Sequence, residues 1–262
     1  MKKIFPVFIV IMITILASCK KDKKSSDSGD TSSPKTVISK DSSDDGTNTN
    51  NRQVRLFTYN SSKKLIKVSY KNGTSTTYTD YDSITYSGEY ISSVKSYTVG
   101  NPTPYATTTY TFTSENLTST HEIGSNSNGA FVRDRTFTYT SGVLSAITVV
   151  YTSGSNDGSP ENISSIVFTS GNISSAYLSD IPAAATLTAD LTAPNPYYGL
   201  DFKTDDPLNI FNKNNVLKAY PTGFPSNPLL DYSYTYANNR VATITDNTKS
   251  PVLVTYITYK NI

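Results

Sequence analysis

Apolar and polar positions form short runs along most of this chain after Val54, and turn residues separate the runs. The runs are rich in Thr, Tyr, Val and Ile, which is the composition of β-strands. Clusters such as Asn72-Gly73 and Gly100 to Pro104 interrupt them and predict tight connections. The pattern therefore predicts an all-β chain in which short links make neighbouring strands antiparallel.

One hairpin motif recurs six times and organises these strands. An aromatic residue ends one strand, four or five turn-forming residues follow, and an aliphatic residue begins the return strand. Successive aromatics lie 27, 26, 27, 29 and 68 residues apart, and the regular part of this series marks a supersecondary repeat. We expect a β-bulge just after each turn, or a sheet with both faces partly covered. The anchor pairs are Tyr59 with Leu65, Tyr86 with Ile91, Phe112 with Leu117, Tyr139 with Leu144, Phe168 with Ile173, and Tyr236 with Val241.

A single hairpin is too weak to stand alone, so the strands are expected to join in one long antiparallel meander of about 13 strands. So many twisted strands curl, split or close, which predicts a curled half-barrel or a closed barrel. A membrane-spanning porin is disfavoured, because runs such as Tyr105–Phe112 carry Thr on both faces. A lipid-facing wall needs a continuous apolar band instead.

The repeat breaks once, at residues 179–231, which hold seven of the thirteen prolines. Asp205-Asp206-Pro207 has the composition of a helix start and predicts one short helix in this insertion. We expect the insertion to close or cap the meander, with Leu208, Ile210 and Phe211 packing on strand side chains. Its aromatic residues are also the candidate contacts for a ligand or partner: Tyr197, Tyr198, Phe202, Phe211, Tyr220 and Phe224.

Residues 1–18 have the features of a secretory signal, namely a basic start, a short apolar run and small residues at its end. The following Cys19, in Leu16-Ala-Ser-Cys19, resembles the acylated cysteine of bacterial lipoproteins and is the candidate lipid anchor. Residues 19–51 are mostly polar and are expected to form a disordered tether, which leaves 52–262 as the β-domain. Lys20 favours the outer membrane by resemblance to the enteric sorting rule, with the periplasmic face and the cell surface both open.

The composition removes most catalytic and metal chemistry. Cys19 is the only cysteine, which excludes a disulfide and a Cys-based metal site, and His121 is the only histidine. No nucleophile elbow, phosphate-binding loop or dinucleotide fingerprint occurs. Removal of Lys2 and Lys3 with the signal leaves 21 basic and 21 acidic residues, which gives no argument for nucleic acid. We therefore expect no catalytic residue, no cofactor and no metal.

Two acidic pairs and one short motif remain. The pairs are Asp80 with Asp82 and Asp205 with Asp206. Such pairs could serve a glycoside hydrolase or hold calcium, but positions in a strand and at a helix start explain them better. Asp82-Ser83-Ile84 resembles the O-glycosylation motif of exported Bacteroidota proteins, which makes Ser83 a candidate modification site.

The last hairpin, Tyr234-Thr-Tyr-Ala-Asn-Asn-Arg-Val-Ala-Thr-Ile244, resembles the tyrosine-rich repeat of Rhs-type proteins, although Asn-Arg-Val replaces their usual Gly-Arg-Leu. Most of the chain is similar to uncharacterised lipoproteins of gut Bacteroidota, a domain of unknown function with a porin-like β fold. The likeness covers the lipidation motif, tether, meander, insertion and last hairpin. It implies a β fold and an envelope location, and it supplies no activity or site residues.

These observations favour a non-catalytic outer-membrane lipoprotein that binds or scaffolds an envelope protein or glycan. A carrier of an apolar ligand, with the sheet as a trough and the insertion as its plug, is the second hypothesis, and a glycoside hydrolase is the third. A continuous apolar cavity would favour the carrier, whereas a packed or polar interior would favour the binding module. The twenty tyrosines suit both a sheet that covers itself and a contact surface.

The lipid-anchor hypothesis predicts that Cys19→Ser releases the protein from the membrane fraction or leaves its signal uncleaved, because several acyl chains together hold a protein stably to a membrane. Fractionation and the apparent mass of the mature protein measure this. A variant that matures and fractionates like the native protein would show that Cys19 is not the anchor.

Overall fold

The protein forms an antiparallel β-barrel in a computed structural model that describes residues 35–47, 52–126, 129–153, 161–178, 183–198, 200 and 211–262. Sixteen strands lie in these residues, each beside its neighbours in the sequence, and β1 pairs with β16 to close the ring. The strands are β1 Thr36–Asp44, β2 Gln53–Tyr59, β3 Leu65–Asn72, β4 Asp80–Ser87, β5 Tyr90–Thr98, β6 Ala106–Thr113, β7 Asn116–Asn126, β8 Gly129–Thr140, β9 Val143–Ser153, β10 Glu161–Thr169, β11 Asn172–Leu178, β12 Ala185–Pro194, β13 Asn214–Pro221, β14 Leu230–Ala237, β15 Arg240–Asp246 and β16 Leu253–Asn261.

Two expectations from the sequence are corrected by the barrel: the number of strands and the extent of the disordered tether. The all-β class and barrel form agree with the sequence analysis, but there are sixteen strands rather than about 13. Strand β1 lies in the segment expected to be a tether, and β12 and β13 lie in the segment expected to be an insertion. Removal of the chain up to Asn51 would therefore leave β2 and β16 as open edges. The signal segment and Cys19 lie outside the described residues.

The polar sequence of β1 is compatible with a barrel strand because its polar side chains have partners. Asp41 and Ser42 are only 2% and 4% exposed. Asp41 accepts hydrogen bonds from Arg55 on β2, and Ser42 accepts one from Arg52. A buried polar group costs little once it is bonded, so the strand needs few apolar residues to pair in the wall.

All six predicted anchor pairs are cross-strand partners in the barrel. In each hairpin the register shifts between the aromatic residue and the residue before it, which confirms the predicted bulge beside the turn. Most turns are shorter than expected. Ser141 and Gly142, for example, form a two-residue turn with φ of 52° and 79°, the pair of positive φ angles that a type I′ turn requires.

Tyrosine hydroxyl groups join consecutive hairpins. The hydroxyl of Tyr86 on β4 donates to the carbonyl of Leu65 on β3, at 2.8 Å. The same contact joins β8 to β7, from Tyr139 to Leu117 at 3.0 Å, and β16 to β15, from Tyr259 to Val241 at 3.0 Å. In all three the acceptor is the aliphatic anchor of the preceding hairpin. The repeat therefore supplies bonds between hairpins as well as within them.

Apolar side chains fill the interior in two clusters. The first is formed mainly by β7 to β13 and the second by β1 to β5, β15 and β16, and Tyr110 and Phe112 of β6 pack against both. The best-enclosed members, Phe57, Val68 and Val241, are at most 1% exposed. Among the described residues, therefore, the interior is packed with side chains rather than lined by a bare sheet.

The insertion contributes to this interior from one end of the barrel. We call this the hairpin end, because it also carries the turns of the six repeated hairpins. Tyr197 is buried in the second cluster with Leu200 against it. Phe211 packs on the first cluster with its ring centre 6.0 Å from that of Phe137, which confirms the predicted packing of Phe211. The expected helix start at Asp205, together with Leu208 and Ile210, lies outside the described residues.

Hydroxyl groups alternate with inward side chains on part of the outer wall, and exposed apolar residues such as Leu56, Ile123 and Val150 also lie on its outward side. Strand β6 shows the alternation, since Tyr110 and Phe112 point inward while Thr107, Thr109 and Thr111 alternate with them. On β6 this arrangement is the reverse of that in a lipid-facing strand, whose apolar side chains point outward. Separately, no helix in the described ranges is long and apolar enough to cross a membrane.

The packed interior predicts unequal costs for two phenylalanine truncations. Phe57→Ala should lower the free energy of unfolding by about 3–5 kcal/mol, because it leaves a cavity at a fully enclosed site. Phe211→Ala should cost clearly less, because Phe211 is only partly buried. Denaturant unfolding of the two variants beside the native protein measures both. Equal losses would contradict the partial burial of Phe211, and an unaffected Phe57→Ala variant would contradict the packed interior.

Candidate functional site

Of the six aromatic residues expected to contact a ligand, the five that the structure describes do not form one site. Tyr197 is buried, and Phe211 packs on the interior. Tyr198 is exposed near Tyr197 at the hairpin end. Phe224 is 63% exposed in the β13–β14 loop, which lies at the opposite end of the barrel, as does Tyr220 near the end of β13. Phe202 lies outside the described residues.

Asp80 and Asp82, one of the two acidic pairs singled out in the sequence, have structural partners. Asp82 is 1% exposed and accepts hydrogen bonds from Tyr70 and from Ser96, the latter at 2.6 Å. Asp80 accepts from Thr79 at 2.8 Å and from Thr98 at 3.1 Å. Asp205 and Asp206 lie outside the described residues. The part of the chain that the structure describes contains no group of three or more His, Cys, Asp or Glu placed to hold a metal ion.

His121 lies on the outward face of β7, as a surface strand residue. Its Nδ1 is 2.6 Å from Asp134 Oδ1, and more than two-fifths of each side chain is exposed. The pair faces water on the outside of the wall rather than a cleft.

The outward side of β3, β4 and β5 carries a compact group of aromatic and basic side chains. Val68, Asp82 and Ser96 point inward on these strands, so their neighbours along each strand point outward. The outward group is named here the β3–β5 face: Lys67, Tyr81, Ser83, Lys95 and Tyr97.

Register and ring contacts fix the geometry of the β3–β5 face. Tyr81 and Tyr97 are cross-strand partners whose rings stack at 5.0 Å with an angle of 13° between their planes. The Nζ atom of Lys67 lies 4.1 Å from the ring centre of Tyr81, a cation–π contact. In the next row, Ser83 lies directly between Lys67 and Lys95. The face therefore places one hydroxyl group between two ammonium groups, beside an aromatic pair.

The charge on the outer wall is uneven. On β16 and β1 to β5 the outward basic residues are five lysines: Lys40, Lys67, Lys71, Lys95 and Lys260. By strand alternation, Asp44 is the one outward acid of these strands in the described ranges. Elsewhere on the wall the outward charges pair, as in Lys218 with Asp231 at 3.1 Å. The β3–β5 face thus lies in a basic region.

Buried hydrogen bonds stabilise the same three strands from the inside. Asp82 on β4 binds Tyr70 on β3 and Ser96 on β5, so one carboxylate links all three. Burial, followed by the charge of Asp82, raises the pKa of Tyr70, which keeps the phenol protonated as a donor. A strand slip by one residue would break these bonds and turn the outward group inward.

A second interior network holds the insertion. Arg55 forms a bidentate pair with Asp41 through Nε at 2.9 Å and Nη2 at 2.5 Å, and the Tyr197 hydroxyl donates to Asp41 at 2.7 Å. Burial opposes the charge of Arg55, but the hydrogen bond to Asp41 and the electrostatic effects of Tyr197, Asp41 and Tyr70 together outweigh it, so the pKa of Arg55 is raised. Burial and the charge of Asp41 raise the pKa of Tyr197. The network ties the β12–β13 connection to β1 and β2.

The candidate modification site, Ser83, is part of the β3–β5 face. It is partly buried between two lysines, and the preceding Asp82 points into the interior. In the folded barrel the acidic residue of that motif is therefore inaccessible. Sequence analysis missed the face because it weighed the tyrosines as a group. The alternation of Lys and Tyr with inward residues in β3 to β5 was the available signal.

Comparisons with known proteins show which solved structures have a similar fold. No sequence family and no curated protein matches this chain. A crystal structure of a porin-like protein from Bacteroides uniformis is similar, with a TM-score of 0.51 and 14% sequence identity over 85% of this chain and 98% of that one. A porin-like protein from Bacteroides vulgatus matches with a TM-score of 0.36 and 12% identity over 86% of this chain and 99% of that one. The first likeness supports the porin-like β fold that the sequence resemblance implied.

The raised tyrosine pKa values predict a loss of stability at alkaline pH. A phenol with a raised folded pKa contributes stability that is fully present below its unfolded pKa of about 10 and is lost as the pH rises through the folded pKa. Burial raises the pKa of Tyr59 and of Tyr259 to about 12, and it raises that of Tyr70 as well. The melting temperature should therefore fall above about pH 10.

The variant Tyr70→Phe should flatten this pH dependence while lowering stability at neutral pH, because Asp82 loses one donor. Tyr256→Phe on the outward side of β16 serves as the control. Melting curves at increasing pH measure both variants. An identical alkaline slope for Tyr70→Phe and the native protein would show that Tyr70 does not contribute to it.

Proposed function

We propose that this protein is a non-catalytic binding module of the bacterial cell envelope that holds an extended partner on the β3–β5 face. The observation that carries the proposal is the stacked pair of Tyr81 and Tyr97 beside Lys67 and Lys95, an ordered aromatic and basic group on the outer wall. The envelope location rests on the lipidation motif at Cys19 and on the likeness to a porin-like barrel fold.

The packed interior of the barrel supports binding on its outer surface rather than inside it. A carrier of an apolar molecule would need a continuous apolar cavity facing the insertion. Instead, Phe57, Val68 and Tyr197 are buried together in the second interior cluster. The sheet is also closed rather than an open trough. These observations favour the binding module over the carrier hypothesis.

The β3–β5 face has the properties of a contact surface for a polymer. It lies on adjacent strands of a closed wall rather than in a loop, so its side chains are held in fixed register. Tyrosine offers a rigid apolar surface with a polar tip, and its ordering on binding costs little entropy. An extended glycan chain can lie along such a row without entering a pocket.

Paired carboxylates would be the sign of a glycoside hydrolase. Asp80 and Asp82 are instead bonded to side chains of their own and neighbouring strands, and Asp82 is almost fully buried. These bonds assign the two acids a structural role, which supports the non-catalytic proposal.

Affinity electrophoresis through gels that contain neutral or acidic polysaccharides tests the proposal. At least one polymer should retard the native protein, and Tyr97→Ser should weaken that binding by about tenfold, which corresponds to about 1.4 kcal/mol. Tyr256→Ser is the matched control, since it removes an outward tyrosine from β16. Equal effects of the two substitutions, or no retardation by any polymer, would contradict the proposed site.

A further inference from the structure

We infer that the polymer bound by the β3–β5 face is an acidic polysaccharide, whose carboxylate or sulfate groups bind Lys67 and Lys95. This inference rests on the proposed function and specifies its ligand class. It depends on three features of the face: the lack of acidic partners for its two lysines in the described residues, the spacing of these lysines, and the aromatic pair beside them.

The two lysines have no acidic partner in the described part of the chain. Lys95 is exposed and makes no ion pair, and Lys67 makes only its contact with the ring of Tyr81. Two other lysines do pair with acids, Lys64 with Glu89 at 3.1 Å and Lys218 with Asp231 at 3.1 Å. Uncompensated like charges on one face repel each other, and an anionic ligand removes that repulsion.

The spacing of the lysines suits charges that recur along a chain. Lys67 and Lys95 lie in one row with Ser83 between them, so their backbones are two strand spacings apart, about 10 Å. Ammonium groups are point charges on flexible stems, so each can reach a separate acidic group of an extended polymer. The Ser83 hydroxyl between them can donate to or accept from a sugar hydroxyl.

The aromatic pair favours sugar rings over a membrane surface. Tyr81 is covered by Tyr97 on one side and by Lys67 on the other, which leaves Tyr97 as the ring that can contact a sugar. The five residues of the β3–β5 face include no Phe, Leu or Ile, and Leu56 on β2 is the exposed aliphatic residue of the row that contains Tyr81, whereas peripheral membrane binding generally combines several such residues with basic ones. Charge complementarity together with a polar aromatic surface therefore points to an acidic glycan.

The experiment compares polymers that differ in charge but share a backbone. The probes are polygalacturonate, its methyl-esterified form and the neutral polymer dextran, with vesicles of phosphatidylglycerol in phosphatidylcholine as the alternative anionic surface. The native full-length protein should bind polygalacturonate, bind the esterified form and dextran much more weakly, and lose affinity as salt is raised.

The double variant Lys67→Gln/Lys95→Gln should bind polygalacturonate at least about tenfold more weakly and show a shallower salt dependence. Lys218→Gln is the control, because it removes an outward charge from another part of the wall. Melting temperatures of the variants show whether the barrel remains folded, so that a loss of binding is not a loss of fold.

The possible results separate this inference from the proposed function. Equal binding to polygalacturonate and its esterified form, with Tyr97→Ser still disruptive, would overturn the acidic class and leave the binding face intact. Preferential binding to the anionic vesicles through the same lysines would overturn it in favour of a membrane surface. Absence of binding to every polymer, or binding that neither the lysine nor the tyrosine substitutions change, would overturn both.

Discussion

An aromatic residue facing an aliphatic residue across a bulge is the contact on which the barrel depends. The bulge turns both anchors toward the interior at the point where a tight turn reverses the chain, as with Tyr139 and Leu144. Tyrosine hydroxyls then bond to the anchor carbonyl of the neighbouring hairpin. Because one unit supplies the turn, the core contact and the link to the next unit, repetition of the unit is enough to build most of a wall.

The sequence could predict the parts of the barrel that are built from this repeated hairpin. It predicted little of the parts that are not. The six hairpins followed from the spacing of the anchors, a bulge after each turn was one of two interpretations of that spacing, and the number of strands predicted a half-barrel or a closed barrel. Strand β1 did not, because its buried Asp41 and Ser42 look like tether residues until Arg55 and Arg52 are known to bind them. The route of the insertion escaped prediction for a similar reason: Tyr197 is held by Asp41, which is 156 residues away in the chain. Partners this distant leave no local pattern in a sequence.

The two sides of β3, β4 and β5 have complementary roles. Inside, Asp82 joins the three strands through Tyr70 and Ser96, and outside the same strands display the β3–β5 face. Since inward and outward residues alternate, the interior bonds that fix register also fix which side chains are neighbours on the surface. A binding surface of this kind is rigid because of groups that never touch the ligand. Its composition can vary while the interior bonds stay the same.

Closure by β1 and β16 has a consequence for how the chain acquires its structure. Thr36 pairs with Asn261, so the two strands that complete the ring come from opposite ends of the domain. Strand β1 is synthesised long before β16. Until β16 is available, the hairpins between them form a sheet with two unpaired edges, and such edges are templates for pairing with other chains. Such distant pairing is slow, because loop-closure entropy is lost before contacts form. The hairpins can assemble in sequence, but the closed wall has to wait for the last strand.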